Sequence, residues 1–331
     1  MSPRVGIGLP VRDGARYLEQ TIEALRRQTL SDFDLVIADN ASTDRTEAIC
    51  RAAAAADERI RYVRSDENRG AAWNFNRTFA LLSNEYFKWA AYDDLCEPTF
   101  LERCVAALDA APEAALAYPR TRFIDERSRV VQDHDDHLAL VQRSPHERLR
   151  ALVATIGYAN PIYGVIRSDA LRKTRLHGAY PSSDYVLLCE LALAGTFVEV
   201  PEPLFLRRLH PEMSRRVNPT AAAAAVWFRP QAQPRYRAES WRLFVEHFVG
   251  IARAPVPPLE RVRCGLVFAE AGGRRYGHHL VRELREIVET ATRRVRPAGR
   301  HSPSQPSRAP GVPRAPARAA SRTARRRTRT R

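Results

Sequence analysis

The chain has 331 residues, 44% of them hydrophobic, so it can bury the core of one large domain or two ordinary ones. Its formal charge of +15 would suit a nucleic-acid-binding protein, but the residues from Pro297 to Arg331 alone include ten arginines and no Asp, Glu or Lys. The rest of the chain has 43 basic and 38 acidic residues, and this mild excess excludes a strongly basic folded domain.

The cysteines and the first residues bear on where the protein works. Five cysteines are scattered without a C-x-x-C pair or a histidine at zinc spacing, which predicts reduced, buried thiols in a cytosolic protein. The first residues lead straight into a strand-like run without the regions of a signal peptide, and no stretch reaches the ~18 to 20 continuous apolar residues of a membrane span. We expect a cytoplasmic protein that meets a membrane only at its inner face, as a peripheral protein.

Apolar runs alternate with stretches of helical spacing through the first 120 residues. Leu18, Ile22 and Leu25 recur at helical spacing, and residues 42–44 offer a cap for a helix that runs to residue 54. The predicted strands are 5–10, 34–38, 60–63, 86–91 and 114–118, and the other predicted helices are 73–82 and 99–110. This alternation predicts an α/β fold, Rossmann-like, with a mostly parallel sheet and helices on both faces.

Beyond residue 123 the alternation breaks up, which predicts a second, acceptor-side half. Hairpin-like pieces come first, then predicted helices at 146–154, 183–194, 240–253 and 281–294 and predicted strands at 162–166 and 203–210. The Arg-, Pro- and Ala-rich tail has almost no bulky apolar residues, which predicts disorder. We divide the chain into a domain at 1–212, with halves 1–120 and 121–212, a helical extension at 213–296 and a disordered tail at 297–331.

Polar segments follow four of the predicted strands, at 10–13, 39–40, 66–70 and 92–94. Because ligands bind outside the carboxyl ends of the strands in open α/β sheets, these segments mark the candidate site. Asp93 and Asp94 follow an apolar strand, and carboxylate oxygens are the ligands that Mg²⁺ and Mn²⁺ prefer. The alternative is that Asp94 caps a turn and Asp93 is solvated.

The segments 9–18, 38–44, 67–74 and 93–94, in this order and at this spacing, resemble the family 2 glycosyltransferases over about residues 4–210. The resemblance implies the GT-A fold and inverting, hexosyltransferase-type transfer of a sugar from a nucleotide diphosphate donor. It assigns the nucleotide-sugar to Pro10, Val11, Asp39, Asn68, Gly70, Asp93 and Arg207, with Pro10 and Asp39 at the base. It assigns a divalent metal (Mg²⁺ or Mn²⁺) to Asp93, Asp94 and His210. The sequence departs from the family at Ala91, where many members have the first Asp of a D-x-D motif.

The resemblance also places a catalytic base at the start of a helix in the second half. Asp184 fits that place and would deprotonate the acceptor hydroxyl, with Glu190 a weaker candidate. The alternative for Asp184 is a first-turn acid that the helix dipole favours. Arg207 suits a diphosphate and His210 suits a metal, although both would also suit an ordinary surface strand. The acidic and histidine cluster at 133–137 is more typical of a solvated loop than of a metal site.

The sequence suggests three other functions. A dinucleotide-dependent oxidoreductase is excluded because the run at 6–11 lacks the third glycine and has a proline in the phosphate loop. The arginine tail could bind nucleic acid or anionic lipid, but it has no aromatic residues for stacking, so no specific nucleic acid is expected. Ala91 leaves open a noncatalytic relative. We expect an inverting glycosyltransferase with a UDP-sugar donor as the first guess and a carbohydrate, lipid-linked or small-molecule acceptor.

Overall fold

A nine-stranded sheet organises the residues that the computed structural model describes, which are 3–218, 220–230 and 238–295. Within these ranges the strands are β1 Val5–Val11, β2 Phe33–Asp39, β3 Ile60–Arg64, β4 Tyr86–Trp89, β5 Leu95–Cys96, β6 Ala114–Ile124, β7 Val130–His134, β8 Val165–Arg167 and β9 Thr196–Arg208. The helices are α1 Leu18–Arg26, α2 Thr46–Ala56, α3 Ala71–Ala80, α4 Phe100–Ala110, α5 Pro145–Thr155, α6 Ser168–Arg172, α7 Ser183–Ala194, α8 Ser214–Val217, α9 Ala221–Phe228, α10 Glu239–Arg253 and α11 Pro258–Val295. The described residues up to Glu289 form one compact unit.

The strand order in the sheet is β3-β2-β1-β4-β8-β6-β9-β5, and β7 pairs with β6. β1 is parallel to both β2 and β4, β2 is parallel to β3, and β6 is parallel to β9. β8, β5 and β7 run antiparallel to their neighbours. The predicted α/β fold with a mostly parallel sheet flanked by helices is therefore confirmed, with these three strands as antiparallel additions.

Two hydrophobic cores lie on the two faces of the sheet, because successive side chains of a strand point to opposite faces. In β4, Tyr86 belongs to the core that includes α1, α2 and α4, whereas Phe87 belongs to the core that includes α5 and α7. In β8, Val165 and Ile166 divide in the same way. Both faces of the central strands are thus buried, which explains why the sequence shows continuous apolar runs there rather than alternation.

The glycine at the centre of β1 permits close packing of α3 on the sheet. A Cβ atom on Gly8 would lie 2.4 Å from the Oγ1 atom of Thr78, in α3. The glycines of the run at 6–11, which might suggest a dinucleotide loop, therefore have a packing reason in this fold. The close approach of α3 brings the N-terminus of this helix to the carboxyl end of β1.

Several predicted elements differ from the structure. Residues Asn160–Tyr163 form a 3-10 helix with a proline in its first turn, and only Val165–Arg167 of this region is a strand, so the predicted strand at 162–166 is wrong for its first half. β9 begins at Thr196 rather than at residue 203, and the helix predicted at 281–294 is the end of the 38-residue α11. The predicted free cysteines are confirmed, and four of the five are buried.

The structure leaves two predictions untested. The tail at 297–331, for which disorder is predicted, lies outside the described residues. The division into a domain at 1–212 and a helical extension at 213–296 stays a prediction. None of the helices in the described ranges combines the length and apolar character that crossing a membrane requires.

Candidate active site

A cleft of about 570 Å³ lies at the carboxyl ends of β1, β2 and β4, where the sequence predicts the site. Six of the predicted site residues line it, namely Pro10, Val11, Asn68, Asp93, Asp94 and Arg207. Its wall also includes Tyr17, Asn40, Asn74, Phe75, Ala91, Tyr163, Glu212 and Trp227. The loops that follow the parallel strands therefore build the cleft, and residues of α9 cover part of it.

Side chains join the loop after β1 to the loop after β2. The Oδ1 atom of Asp13 accepts a hydrogen bond from the Thr43 amide at 2.7 Å, and the Gly14 amide donates to the Thr46 hydroxyl at 2.9 Å. The Asp44 carboxylate accepts from the amides of Thr46 and Ala15, but the N-cap residue of α2 is Arg45, so the cap predicted at residues 42–44 lies one residue too early. Because residues of both loops line the cleft, these bonds hold two parts of its wall together.

Asp39 lies at the end of β2 with a fully buried side chain, outside the residues that line the cleft. Its Oδ1 atom accepts from the Ser42 amide at 2.8 Å, and its Oδ2 atom accepts from the Tyr62 hydroxyl at 2.7 Å and the Arg64 guanidinium at 2.6 Å. Burial and the hydrogen bond to Asp39 raise the pKa of the Tyr62 hydroxyl. Asp39 is thus held by three donors one layer behind the cleft, and its role at the nucleotide base stays a prediction.

Asn68 and Gly70 belong to a bonded network around Asn40. The Asn40 side chain donates to Asn68 Oδ1 at 2.9 Å and to the Gly70 carbonyl at 3.2 Å, and it accepts from the Arg69 amide. Gly70 has a φ of +88°, and a Cβ atom there would lie 2.2 Å from the Phe228 carbonyl oxygen. Gly70 is therefore both a left-handed residue and the contact point for the end of α9.

Asn74 is a residue to which the sequence reasoning assigned no role. Its side-chain amide donates to the carbonyls of Ala38 at 2.7 Å and Val11 at 3.4 Å, so it ties the ends of β2 and β1 to α3. Its Oδ1 atom is buried and has no hydrogen-bond partner among the described residues, and the residue lines the cleft. Buried amide oxygens are normally bonded, so Asn74 is an exception in the wall of the cleft.

Asp93 and His210 meet at the end of β4. The Nε2 atom of His210 lies 2.9 Å from Asp93 Oδ2, and the His210 side chain is buried, with its ring edge-on to Tyr17. The Nδ1 atom of His210 has no hydrogen-bond partner within the described ranges. The predicted meeting of these two residues is therefore present, and the carboxylate side faces the cleft.

Asp94 and Arg208 bond the segment that contains Asp93 to β9. The Asp94 carboxylate accepts from the backbone amide of Arg208 at 2.8 Å, and the Arg208 guanidinium donates to the Asp93 carbonyl at 2.8 Å. Burial, and then the neighbouring charge of Asp93, raise the pKa of Asp94 above its ordinary range. Asp94 is thus bonded to the chain of β9, whereas Asp93 has its carboxylate at the cleft.

The donor atoms at this point suit a divalent cation with few protein ligands. Asp93 offers a carboxylate oxygen and His210 an imidazole nitrogen, both acceptable to Mn²⁺ or Mg²⁺. In the part of the chain that the structure describes, no group of three or more His, Cys, Asp or Glu residues could hold a metal. The chain therefore fits a cation whose other ligands come from a bound diphosphate and water, and it does not form a cage of its own.

A second cavity of about 210 Å³ adjoins the cleft and contains Asp184 in its wall. Asp184 stands in the first turn of α7, which has the bounds that the sequence predicts. Arg207, Tyr163, Phe75 and Trp227 line both spaces, so the two adjoin at these side chains. The Arg207 guanidinium donates to Asn160 Oδ1 at 2.5 Å. The candidate base and the candidate metal ligand thus line two adjoining spaces that share part of their lining.

A family model described as glycosyl transferase family 2 matches residues 7–174, which is about half of the chain. The chain belongs to glycosyltransferase family 2. It is 30% identical over 128 residues to an uncharacterized glycosyltransferase of Rickettsia typhi, covering 38% of this chain and 39% of the relative. It is 28% identical over 131 residues to the chondroitin synthase of Escherichia coli, covering 40% and 19%. The matches thus span less than two thirds of these relatives.

Among solved structures, the family 2 chain is similar to S. aureus TarS. The TarS fragment crystallised with UDP-GlcNAc gives a TM-score of 0.61 at 13% identity and covers 83% of this chain and 73% of that one. The complex with UDP gives 0.59 at 12% identity, covering 83% and 72%. At this identity the likeness concerns the fold, and it agrees with the GT-A type that the resemblance implied.

Two further sets of acidic residues in this family 2 chain have structural roles. Both carboxylate oxygens of Glu190 accept hydrogen bonds from Arg175, at 2.7 and 2.6 Å, so the weaker candidate base is committed to an ion pair. In the cluster at 133–137, Asp133 pairs with Arg122, and the Asp136 carboxylate accepts from Asn160 and from Thr121. Asp133 and His134 belong to β7 and Asp136 is buried, so the predicted solvated loop is wrong for these three residues, whereas His137 is exposed.

Proposed function

We propose that this protein transfers a sugar, with inversion, from a nucleoside diphosphate donor to an acceptor hydroxyl. One observation carries the proposal: the 570 Å³ cleft with Asp93 in its wall adjoins the 210 Å³ cavity with Asp184 in its wall. The first space suits a nucleotide-sugar, since ligand pockets of drug-sized molecules measure about 300–1,000 Å³. UDP is the first guess for the nucleotide, because the TarS structures of the same fold contain UDP and UDP-GlcNAc.

In the donor cleft, the residues after β1 would contact the nucleotide and the residues after β4 would hold the diphosphate end. Pro10 and Val11 line the side next to β2, and Asp39 would act on the base from behind this wall. Asp93 and His210 would hold a divalent cation, with Asp94 fixing their segment. Such a cation, when bound, neutralises charge on the departing diphosphate. Arg207 would add a guanidinium for a phosphate oxygen.

The transfer is a single displacement. The acceptor oxygen forms a bond to the anomeric carbon while the bond from that carbon to the diphosphate oxygen breaks, and the electron pair leaves with the nucleoside diphosphate. The proton of the acceptor hydroxyl passes to a carboxylate oxygen of Asp184. Asp184 supports this role by its place in the wall of the adjoining cavity. With Ala91 in the place of the first motif carboxylate, Asp93 would hold the cation with His210 as its companion donor.

We further propose that the arginine tail makes peripheral contact with an anionic membrane at its cytoplasmic side. Ten arginines without an acidic residue would attract anionic headgroups, which suits transfer to a lipid-linked or cell-envelope acceptor. Deletion of residues 297–331 should abolish co-sedimentation with vesicles that contain phosphatidylglycerol and should leave sugar transfer unchanged. Unchanged vesicle binding by the deletion variant would contradict this part of the proposal.

The experiment that tests the donor site is calorimetric titration with UDP, GDP and dTDP, each with and without Mn²⁺. We expect one nucleotide to bind in a Mn²⁺-dependent manner, and Asp93→Ala to weaken that binding by at least about tenfold, as expected for the loss of a cation ligand. Asp133→Ala is the matched control, because its carboxylate is 62% exposed and pairs with Arg122. No binding of any nucleotide by the folded protein would contradict the proposal. Nucleotide-sugar binding without turnover would indicate a noncatalytic relative.

A further inference from the structure

We propose that the second cavity accepts one uncharged sugar ring, so that the acceptor is a neutral saccharide terminus. The inference rests on the proposed function, because it names the acceptor class of the same site. The cavity measures about 210 Å³, which is below the range of about 300–1,000 Å³ that drug-sized ligands occupy. It therefore suits a single ring, with the remainder of an acceptor extending outward.

Aromatic side chains form much of the wall of this cavity. The six aromatic residues in the wall are Phe75, Tyr158, Tyr163, Tyr185, Trp227 and Phe228. They come from separate parts of the chain, and the small side chains of Ala71, Ala72, Ala159 and Ala224 lie among them. Flat aromatic faces pack against the C–H face of a pyranose ring and leave its hydroxyl groups free at the ring edge. The wall is thus suited to a ring with one apolar face.

The charges at this cavity match a neutral ligand. Asp184 and Arg207 are the charged residues in its wall, one of each sign. Burial lowers the pKa of His177 to about 3, so this histidine is neutral at ordinary pH. Because the proposed function assigns Arg207 to the donor diphosphate, the charge left for the acceptor is the Asp184 carboxylate, which would repel a phosphorylated or carboxylated ring. An uncharged ring avoids that repulsion.

Two buried polar atoms at the cavity have no hydrogen-bond partner among the described residues. They are the Oγ atom of Ser183, a residue that is 1% exposed, and the Nε2 atom of His177. Both residues line the cavity. Buried polar groups are normally bonded, so a ligand that carries hydroxyl groups would suit this part of the wall better than a purely apolar aryl ring. A sugar ring supplies both the hydroxyl groups and the apolar face.

The test uses saturation-transfer NMR on the full chain with saturating UDP, or whichever nucleotide the calorimetry selects. The neutral probes are the methyl β-glycosides of glucose, galactose and N-acetylglucosamine. The other probes are methyl β-glucuronide and glycerol 3-phosphate, which are anionic, and 2-phenylethanol, which is an aryl alcohol. We expect signals from at least one neutral glycoside and none from the anionic probes.

Two variants connect the signal to the cavity. Ser183→Ala removes a hydroxyl that has no protein partner, so it should leave the melting temperature unchanged or higher while weakening glycoside binding by about threefold to tenfold, the usual range for one hydrogen bond. Tyr158→Ala should weaken binding by about tenfold, and Tyr158→Phe should restore it. Ser31→Ala, at an exposed position, is the matched control.

The outcomes separate this inference from the proposed function. Nucleotide binding together with a signal only from anionic or aryl probes would overturn the acceptor class and leave the donor site standing. Nucleotide binding with no signal from any neutral glycoside, or with signals that Ser183→Ala and Tyr158→Ala leave unchanged, would overturn it as well. Absence of nucleotide binding in the folded wild type would instead contradict the proposed function itself.

Discussion

Replacement of Arg208 by methionine tests how the candidate metal ligand is held. The Arg208 side chain is 1% exposed, and its guanidinium donates to the Asp93 carbonyl at 2.8 Å, to Gln20 Oε1 at 2.9 Å and to Ser128 Oγ at 3.0 Å. Two longer bonds reach the carbonyls of residues 125 and 126. One side chain thus joins α1, the segment after β4 and the turn after β6.

The expected loss in the free energy of unfolding follows from these bonds. A hydrogen bond that involves a charged group contributes about 1.5–3 kcal/mol, so the three short bonds have an upper limit of about 9 kcal/mol. Methionine would bury its own apolar surface, and the abandoned carbonyls would partly relax toward other donors. We therefore expect Arg208→Met to lower the free energy of unfolding by about 3–5 kcal/mol, the usual cost of removing one partner from a buried polar network. Arg208→Lys, which keeps the charge but reaches fewer acceptors, should cost about half as much.

The assay is urea unfolding followed by circular dichroism, with Arg127→Met as the control because that residue is exposed. The Arg208→Lys variant, which should remain folded, is also expected to bind nucleotide more weakly in the presence of Mn²⁺. The reason is that the Asp93 segment loses some of the hydrogen bonds that hold it. A loss below about 1 kcal/mol for Arg208→Met would refute the reasoning that this network stabilises the segment.

Three further predictions concern the surroundings of the site. Lys88→Met removes the buried ammonium that donates to the Tyr163 carbonyl, so we expect urea unfolding to show a free energy of unfolding that is lower by about 1–3 kcal/mol. An unchanged free energy of unfolding would show that this carbonyl finds another donor. Gly70→Ala places a Cβ atom 2.2 Å from the Phe228 carbonyl at a φ of +88°, so amide exchange in α9 should become faster, and unchanged exchange would contradict the contact. Burial lowers the pKa of His247 to about 4. The unfolded chain therefore binds more protons between this value and its ordinary pKa of about 6.5, and the free energy of unfolding should fall as pH falls from about 6.5 toward 4, by at most about 1.4 kcal/mol per unit for this group. His247→Gln should make that slope shallower, which pH-dependent urea unfolding will show, and an equal slope would contradict the assignment.

Local signals were sufficient for the elements that position the site. The helix at 183–194 was predicted with the bounds that the structure has, since Asp184 stands in its first turn and Gly195 follows its last residue. The polar residues after the parallel strands also reached one cleft, because the carboxyl ends of parallel strands lie at the same sheet edge. The position of these residues after parallel strands was therefore enough to predict that they share one cleft.

The residues that support the site were beyond local signals because their partners are distant in sequence. Arg208 bonds to Gln20, 188 positions away, and Asn74 bonds to the carbonyl of Ala38, 36 positions away. The bonding of Asp39 could not be predicted either, because nothing in its own segment shows that Arg64 donates to its carboxylate. Such bonds depend on which loops the fold brings together.

Four glycines lie in the part of the last helix that the sequence did not predict. α11 extends from Pro258 to Val295, whereas the sequence predicted only 281–294. Gly265, Gly272, Gly273 and Gly277 all lie in the part that was not predicted, and each glycine disfavours an isolated helix by about 1 kcal/mol relative to alanine. Tertiary packing outweighs this cost, because Cys264 and Phe268 are fully buried in the core that includes α7.

The measurement that tests the central claim most directly is the transfer reaction itself, with its product analysed by NMR. Wild-type protein with Mn²⁺ and an α-linked donor, UDP-GlcNAc first, is predicted to give a β-linked product and free nucleoside diphosphate. Asp184→Asn should lower kcat by at least about a hundredfold, as expected for loss of a general base, while nucleotide affinity stays the same. Asp169→Asn, whose carboxylate is 86% exposed, should keep full activity. An α-linked product, or full activity in Asp184→Asn, would contradict the account.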